Sequence, residues 1–205
     1  MTVWTIVVAA GSGERFGQRK QFESLGVRRV LDWSLLTAAE MTAGVVVVVP
    51  PELTRRPEPL ADMTVAGGQT RSASVRAGLA AVPDAATHVL VHDAARPVPV
   101  TEVWQRVLAA LADGAEAVVP VVPVTDTLRE REGGTVDRSR LVAVQTPQGF
   151  RVDVLRRAHA HETDATDDAS LAEACGAKVS TVDGDARNLK ITEPWHLAIA
   201  ELLIP

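Results

Sequence analysis

Short, uninterrupted apolar runs alternate along this chain with longer segments of helical spacing, and this alternation restricts the fold more than any other feature of the sequence. Strands are predicted at residues 5–9, 45–49, 63–66, 89–91 and 117–122. Their apolar residues are continuous, which is typical of strands buried on both faces of a parallel sheet. Because strands and helical segments take turns, the sequence predicts βαβ units and an α/β fold with a doubly wound, mostly parallel sheet.

The helical segments repeat apolar residues at i, i+4 and i+7 or i+8. Three such triplets predict helices: Leu31/Leu35/Ala39, Val75/Leu79/Val82 and Val103/Val107/Leu111. Thr101 is predicted to cap the third helix, since its side-chain oxygen can accept from unpaired amides. Near the end of the chain we expect helices at residues 152–161, 169–175 and 195–203, with a strand near residues 179–182.

The alternation breaks after residue 122. Residues 124–130 and 141–146 are predicted to pair as a protruding β-hairpin arm, with Gly133 and Gly134 at its tip. An isolated two-stranded hairpin is only marginally stable in water, so we expect this arm, at about residues 123–147, to lie against a second copy of the chain. The absence of repeats and linkers predicts a single domain over residues 1–205 that forms a homodimer through the arm.

Charge and composition argue against several classes of partner. Lys and Arg number 21 against 26 Asp and Glu, a net charge of −5, whereas a nucleic-acid groove normally brings a basic excess. The longest aliphatic run, residues 45–49, is far too short for a membrane span, and the N-terminus carries no export signal. Cys175 allows no intrachain disulfide and fits a reducing compartment. We expect a cytoplasmic protein without nucleic-acid or membrane partners, in which Cys175 is a small buried hydrophobe.

A glycine-rich segment at residues 9–17 follows the first predicted strand directly. Ligands of open α/β sheets collect at the carboxyl ends of strands, and small residues let backbone amides approach phosphate oxygens. Arg15 and Lys20 add positive charge. The glycine spacing differs by one residue from the dinucleotide-binding pattern, and the segment lacks the Gly-Lys-Ser/Thr ending of a P-loop. The segment predicts a phosphate-binding loop, with a tight strand-to-helix turn as the alternative.

A second polar cluster follows the strand predicted at residues 89–91. Asp93 ends this strand region and Arg96 follows three residues later. A carboxylate beside bound phosphates is a natural neighbour of Mg²⁺, which prefers oxygen ligands. A helix-capping or ion-paired Asp93 is the alternative interpretation. His92 is interpreted as a strand-end residue with a hydrogen-bonded ring rather than as a catalyst.

Six short motifs occur along the chain in a fixed order: Ala9-Ala10-Gly11-x-Gly-x-Arg15, His92–Pro97, Val124–Thr127, Thr146–Gln148, Thr166–Ser170 and Asn188-x-Lys190-x-Thr192. In these motifs the chain resembles the methylerythritol phosphate cytidylyltransferase family of the non-mevalonate isoprenoid pathway. The resemblance extends from Ala9 to Thr192. It implies a glycosyltransferase-like nucleotidyltransferase fold, a CTP site, Mg²⁺ dependence and a homodimer.

The resemblance also implies a role for each matching residue. Catalytic roles fall on Arg15, Lys20, Arg138 and Lys190. Nucleotide binding falls on Ala9, Ala10, Gly11, Gly13, Gly68, Gln69 and Ser74. Substrate binding falls on Asp93, Arg96, Thr127 and Thr166, with Asp93 also beside the metal. Thr127 and Arg138 lie on the arm, from which such residues reach into the partner's site.

The implied reaction is attack of a phosphate monoester on the α-phosphorus of CTP, with pyrophosphate as the leaving group. The acceptor is already an anion near neutral pH, so the protein contributes position and charge stabilisation rather than a base. Ribitol 5-phosphate is an alternative acceptor, since two small polyol phosphates are distinguished by pocket shape. A non-catalytic nucleotide-binding protein is the alternative from another class. Arg19 directly precedes Lys20 and is a second candidate for its role.

Overall fold

The computed structural model describes residues 1–11, 13, 16–161 and 164–205. Its strands are β1 Val3–Val8, β2 Ser24–Leu25, β3 Arg28–Arg29, β4 Gly44–Val49, β5 Met63–Ala66, β6 His88–Asp93, β7 Ala117–Pro123, β8 Leu128–Arg129, β9 Thr135–Val136, β10 Val142–Val144, β11 Gln148–Arg151 and β12 Val179–Asp183. Its α-helices are α1 Val30–Met41, α2 Arg71–Ala81, α3 Thr101–Ala112, α4 Val152–Ala158, α5 Asp168–Ala174 and α6 Trp195–Glu201.

An eight-stranded mixed sheet forms the centre of the described chain. Its order is β10-β7-β11-β6-β1-β4-β5, and β12 pairs with β7. The pairs β1–β4, β1–β6, β4–β5 and β7–β12 are parallel, whereas β10 and β11 run antiparallel to their neighbours. The expected mostly parallel, doubly wound sheet is thus confirmed, with two antiparallel strands inserted near one edge.

Helices cover both faces of this sheet, which explains why its strands are apolar without interruption. Ile6 points to the face covered by α2, α4 and α5, and its neighbour Val7 points to the face covered by α1 and α3. Both side chains are completely buried. Successive side chains of a strand point to opposite faces, so a strand between two helical layers needs an apolar residue at every position. None of the helices in the described ranges has the length and apolar character to cross a membrane.

The arm differs from the single hairpin that the sequence predicts. Residues 141–146 do not pair with residues 124–130; instead β10 returns to the main sheet, with Val144 opposite Val121 of β7. Within the arm, β8 and β9 form a separate short hairpin, which encloses Gly133 and Gly134. The pairing with β7 prevails because it joins β10 to a strand of the main sheet, whereas a free hairpin has no such support.

Two smaller expectations are also wrong. Thr101 is the first residue of α3 rather than its cap; Val100 takes the cap position, without a side-chain hydrogen bond. Cys175 is exposed rather than buried. It ends α5 beside Gly176, whose positive φ of 81° turns the chain away from the core.

Candidate active site

A cleft of about 660 Å³ opens at the carboxyl ends of β1, β5 and β6. Crevices at this edge of an open α/β sheet are the usual place for ligands. Ten of the residues predicted for the site line this cleft: Ala9, Ala10, Gly11, Gly13, Lys20, Gly68, Gln69, Ser74, Asp93 and Lys190. The fold therefore gathers residues that lie as much as 181 positions apart in the sequence, from Ala9 to Lys190.

The glycine-rich turn after β1 is held open by a buried amide. The Gln21 side chain donates through Nε2 to the carbonyls of Ala9, at 2.7 Å, and Gly11, at 2.9 Å. Gly13 adopts a φ of +74°, and a Cβ there would collide with the backbone of Gln18. Both features constrain the backbone of the turn, and Gly11 and Gly13 line the cleft without a side chain of their own.

The segment between β5 and α2 forms the opposite wall. A Cβ on Gly67 would overlap the Cβ of Ala10, so the two walls approach each other as closely as a glycine permits. Thr70 caps α2 by accepting from the amide of Ala73, and Ser74 Oγ donates to the Thr70 carbonyl at 2.9 Å. Gly68 and Gln69 are thereby presented at the cleft with little freedom to move.

Asp93 is the electrostatic centre of the cleft. Lys190 Nζ lies 2.6 Å from its Oδ2, and Arg71 Nε lies 3.4 Å from its Oδ1. Burial alone would raise the pKa of Asp93, but the positive charges of Lys190 and Arg71 hold it well below its ordinary value. Asp93 is therefore a carboxylate at any physiological pH. It is ion-paired, as the alternative interpretation expects, while its role beside a metal and substrate stays a prediction.

A hydrogen-bonded chain at the end of β6 fixes the Asp93 backbone. The Asp93 amide donates to Thr146 Oγ1 at 3.1 Å. The Arg96 carbonyl, 3.2 Å from His92 Nε2, can only accept, so His92 carries its ring proton on Nε2. Nδ1 of the neutral ring is then an acceptor, and the Thr146 hydroxyl donates to it at 3.1 Å. Burial lowers the pKa of His92 to about 4, and the ring is neutral. The interpretation of His92 as a hydrogen-bonded structural residue is confirmed.

Four predicted site residues lie away from the described cleft wall. Arg96 donates from Nη1 to the Asn188 carbonyl at 2.6 Å, which ties the segment that carries Lys190 to β6. Thr166 is exposed in the bend before α5. Thr127 and Arg138 are exposed on the arm, where Arg138 donates to the Thr125 carbonyl. These four are not brought to the cleft by this chain alone.

Two further cations, one in the glycine-rich segment and one just after it, were candidates for phosphate contact. Arg15, predicted to contact phosphate, lies outside the described residues. Arg19, the alternative to Lys20, forms an ion pair with Glu52 at 2.5 Å, and both side chains are largely exposed. Lys20 itself lines the cleft. The position of Lys20 rather than Arg19 at the cleft favours Lys20 for the phosphate-binding role.

Arg71 is the site residue that sequence reasoning missed. It lines the cleft and pairs with Asp93 and, at 2.7 Å, with Asp168. Although burial opposes it, the two carboxylates Asp93 and Asp168 raise the pKa of the Arg71 guanidinium. The available signal was its place directly after Thr70, at the start of a helix that follows the carboxyl end of a strand.

No cluster of three or more metal-ligating side chains occurs within residues 1–11, 13, 16–161 and 164–205. Asp93 is a lone carboxylate, already paired with two cations. Such a donor set fits a hard divalent ion only if the remaining ligands come from substrate phosphates and water, which is how Mg²⁺ is commonly held beside nucleotides.

Comparisons with known proteins identify the family. The family model described as IspD, 2-C-methyl-D-erythritol 4-phosphate cytidylyltransferase, matches residues 3–205. The chain belongs to this family. It is therefore a nucleotidyltransferase of isoprenoid biosynthesis, as the resemblance of its motifs predicted.

Individual relatives agree with this membership of the cytidylyltransferase family. The chain is 45% identical to the 2-C-methyl-D-erythritol 4-phosphate cytidylyltransferase of Rhodococcus opacus, with 98% of this chain and 95% of the relative covered. It is 46% identical to the bifunctional enzyme IspD/IspF of Solidesulfovibrio magneticus, of whose length it spans 58%. The crystal structure of the Thermus thermophilus cytidylyltransferase shares 41% identity and a TM-score of 0.87, over 99% of this chain and 98% of that one.

Proposed function

We propose that the chain transfers CMP from CTP to 2-C-methyl-D-erythritol 4-phosphate. An oxygen of the acceptor phosphate attacks the α-phosphorus of CTP, the bond from this phosphorus to the β-phosphate oxygen breaks, and pyrophosphate leaves with the electron pair. The products are CDP-methylerythritol and pyrophosphate. The observation that carries the proposal is the alternation of cations and a carboxylate, Lys190–Asp93–Arg71, in a cleft faced by a glycine-rich turn.

Two polyanions repel each other, so the cleft must hold them together and stabilise the charge that grows on the α-phosphoryl oxygens and on the leaving group. We assign this charge stabilisation to Lys20, Arg71 and Lys190. The amides of the glycine-rich turn support the phosphates, while Gly68 and Gln69 contact the nucleoside. No side chain is assigned as a nucleophile or general base, since the acceptor phosphate is itself the nucleophile.

Mg²⁺ belongs to the same proposal. Asp93 would supply one oxygen ligand, and the nucleotide phosphates and water would supply the rest. When bound, the ion offsets negative charge on the phosphates. With the ion bound, Lys190 and Arg71 would share Asp93 with a third positive charge.

The exposed apolar side chains of the arm support a homodimer. Leu128, Leu141, Val142 and Val144 are large apolar side chains exposed on or beside it. Large apolar side chains exposed on one protruding segment are typical of an interface. In the dimer, Thr127 and Arg138 would enter the partner's cleft, which explains why neither reaches its own. We propose that the chain acts in the cytoplasm as one catalytic domain, residues 1–205, with this arm.

The reaction is tested by incubating the purified protein with CTP, Mg²⁺ and either methylerythritol phosphate or ribitol 5-phosphate, with pyrophosphate release as the readout. We expect release with the first acceptor. Faster turnover with ribitol 5-phosphate would reassign the acceptor. CTP binding without turnover on either would support a non-catalytic nucleotide-binding protein instead.

Contribution of the arm is tested by mixing two inactive variants. Arg138→Ala removes the arm cation and Lys20→Ala removes the cleft cation, and each homodimer should lose most of its turnover. A mixed dimer contains one cleft in which both cations are intact, so activity should partly return. A mixture no more active than its components, with subunit exchange confirmed by mass, would reject a shared site.

A further inference from the structure

The ion pair between Arg71 and the buried Asp168 lies behind the cleft wall. Arg71 Nη1 donates to Asp168 Oδ2 at 2.7 Å, while Arg71 Nε is 3.4 Å from Asp93 Oδ1. Asp168 begins α5 and is completely buried, whereas the Arg71 side chain keeps about a fifth of its surface accessible at the cleft. The guanidinium therefore lies between a hidden carboxylate and a carboxylate that faces substrate.

The buried carboxylate of Asp168 accepts a hydrogen bond from a second donor besides Arg71. Asp168 Oδ1 accepts from Nε2 of His159, the residue that ends α4, at 2.9 Å. The His159 side chain is 2% exposed, and its Nδ1 is buried without a partner among the described residues. A carboxylate oxygen can only accept a hydrogen bond, so His159 carries a proton on Nε2 and donates it to Asp168. Each oxygen of Asp168 has its own donor, which fixes the orientation of the carboxylate.

The two donors hold Asp168 in one orientation, and this has an electrostatic consequence for Asp93. An Arg side chain is long and rotatable, and a guanidinium beside a carboxylate favours short, two-pronged contact. Without Asp168, Arg71 would close fully on Asp93, to which it now makes only a long contact through one nitrogen. Asp168 draws the guanidinium back, so Arg71 keeps a face towards the cleft and Asp93 stays available to other cations.

The backbone around Asp168 is fastened to the same helix end that carries Arg71. Thr70 Oγ1 donates to Asp164 Oδ1 at 2.5 Å, and the Ala165 amide donates to Ser72 Oγ at 3.1 Å. The segment before α5 and the start of α2 therefore form one connected unit. A carboxylate mounted on this unit keeps its distance from Arg71 fixed.

We propose that His159 and Asp168 are positioning residues of the transfer reaction: they act through Arg71, which they hold in the orientation that faces the substrate phosphates. Neither residue touches the cleft itself. A purely structural tie between α4 and α5 would not need a buried charge, which is costly unless it is paired and hydrogen-bonded. The inference rests on the proposed function for its readout, since it is measured as turnover.

The test compares variants of His159 in two backgrounds. In the wild type, His159→Leu removes the donor and should lower kcat roughly 10-fold with little change in the KM for CTP, because a misplaced charge acts mainly on the transition state. His159→Gln keeps an N–H at a similar distance and should recover most of the lost turnover. His161→Leu, an exposed histidine on the same segment, is the matched control and should change nothing.

The second background is Arg71→Gln, in which the guanidinium is absent. There His159→Leu should change kcat by less than about 2-fold, since residues that act through a common group are non-additive. An equal loss in both backgrounds, or an unchanged kcat in the folded single variant, would overturn the positioning role. If His159→Leu does not fold, the isosteric Asp168→Asn is judged by the same two comparisons. Absence of turnover in the wild type would instead reject the proposed reaction.

Discussion

Among single residues, Lys190 makes the shortest ion pair with the cleft carboxylate Asp93. Replacement by the uncharged, similarly long Met leaves Asp93 with Arg71 alone and removes one cation from the phosphates. We expect Lys190→Met to lower kcat by about 10²–10³, the usual effect of deleting one well-placed charge donor, while the fold is retained. Steady-state turnover measures the loss, and circular dichroism measures the fold.

Lys178→Met is the matched control for this change, since Lys178 is an exposed lysine far from the cleft lining. It should retain normal turnover. Equal activity of Lys190→Met and Lys178→Met would remove Lys190 from the catalytic group.

His92 leads to a prediction about acid stability. Burial lowers the pKa of His92 from 6.5 to about 4. Between these two pH values the imidazole is protonated in the unfolded chain and neutral in the folded chain. The free energy of unfolding should therefore fall as the pH drops from 6.5 to 4, by about 3 kcal/mol at most from this group. Urea unfolding at several pH values in this window measures the slope.

The neutral variant His92→Gln should be less stable than the wild type at pH 7.5, yet lose less on acidification. A residual slope is expected, because burial also lowers the pKa of His88. The pKa of Asp93 is also lowered, but its effect on the free energy of unfolding appears only below about pH 3.8. It therefore does not affect the slope between pH 6.5 and 4. Identical slopes for the variant and the wild type would contradict the assignment of the acid effect to His92.

The single residues of the site were predicted unevenly from the sequence. The glycines and the strand-end Asp93 were predictable, because small or acidic residues that follow a strand indicate a ligand site at the carboxyl edge of the sheet. Asp168 lies in the Thr166–Ser170 motif and Arg71 at the start of a predicted helix, but their contact could not be predicted, since it depends on α2 and α5 meeting, 97 positions apart. His159 is even less predictable, since a lone histidine at a helix end has many possible partners until tertiary packing selects one.

On the scale of secondary-structure elements, α2 lies unusually close to the sheet. A Cβ added to Gly78 of α2 would come within 2.5 Å of Ile6 Cγ2 and 3.0 Å of Val48 Cγ2. Both partners are buried strand residues that cannot retreat. We expect Gly78→Ala to destabilise the protein by about 1–2 kcal/mol despite the better helix propensity of alanine, because overpacking outweighs it. Chemical denaturation measures this change.

Gly134→Ala serves as the control for this substitution, since a Cβ there meets nothing within 4 Å. Its effect should stay within about 0.5 kcal/mol. A stabilising Gly78→Ala would mean that α2 can move away from β1 at little cost.

The elements of the parallel sheet were predictable because burial on both faces leaves a continuous apolar run. β11 was not. It reads Gln148–Arg151, with a polar residue at each end, yet it lies between β6 and β7 in the middle of the sheet. Gln148 is buried there, and its Nε2 donates to Asp167 at 3.3 Å. This partner, 19 positions away, satisfies the donor of the buried side chain, and no local pattern in the sequence indicates it.

For the whole molecule, the decisive question is whether two chains associate through the arm. Val142 and Val144 lie on the same side of β10 and are 52% and 41% exposed. A charge at this position would be desolvated in the proposed interface without a partner. We expect Val142→Asp to convert the dimer to a monomer and to lower turnover with it. Light scattering after size exclusion gives the mass, and pyrophosphate release gives the activity.

Val27→Asp provides the comparison, since Val27 is 90% exposed in the turn between β2 and β3, outside the arm. This variant should keep the mass and activity of the wild type. A monomeric wild type, or a Val142→Asp variant that is still dimeric, would contradict the arm-mediated assembly.

The pairing of cations and carboxylates within the cleft has a consequence for selectivity. Lys190 and Arg71 are each already neutralised from inside, by Asp93 and Asp168. A lone sulfate or orthophosphate ion must break such a pair and leaves an uncompensated carboxylate behind, so we expect it to be a poor inhibitor. A ligand that brings its own cation pairs its anion with the lysine or arginine and its cation with the carboxylate. We therefore expect the cleft to bind a metal–nucleotide complex in preference to a bare anion.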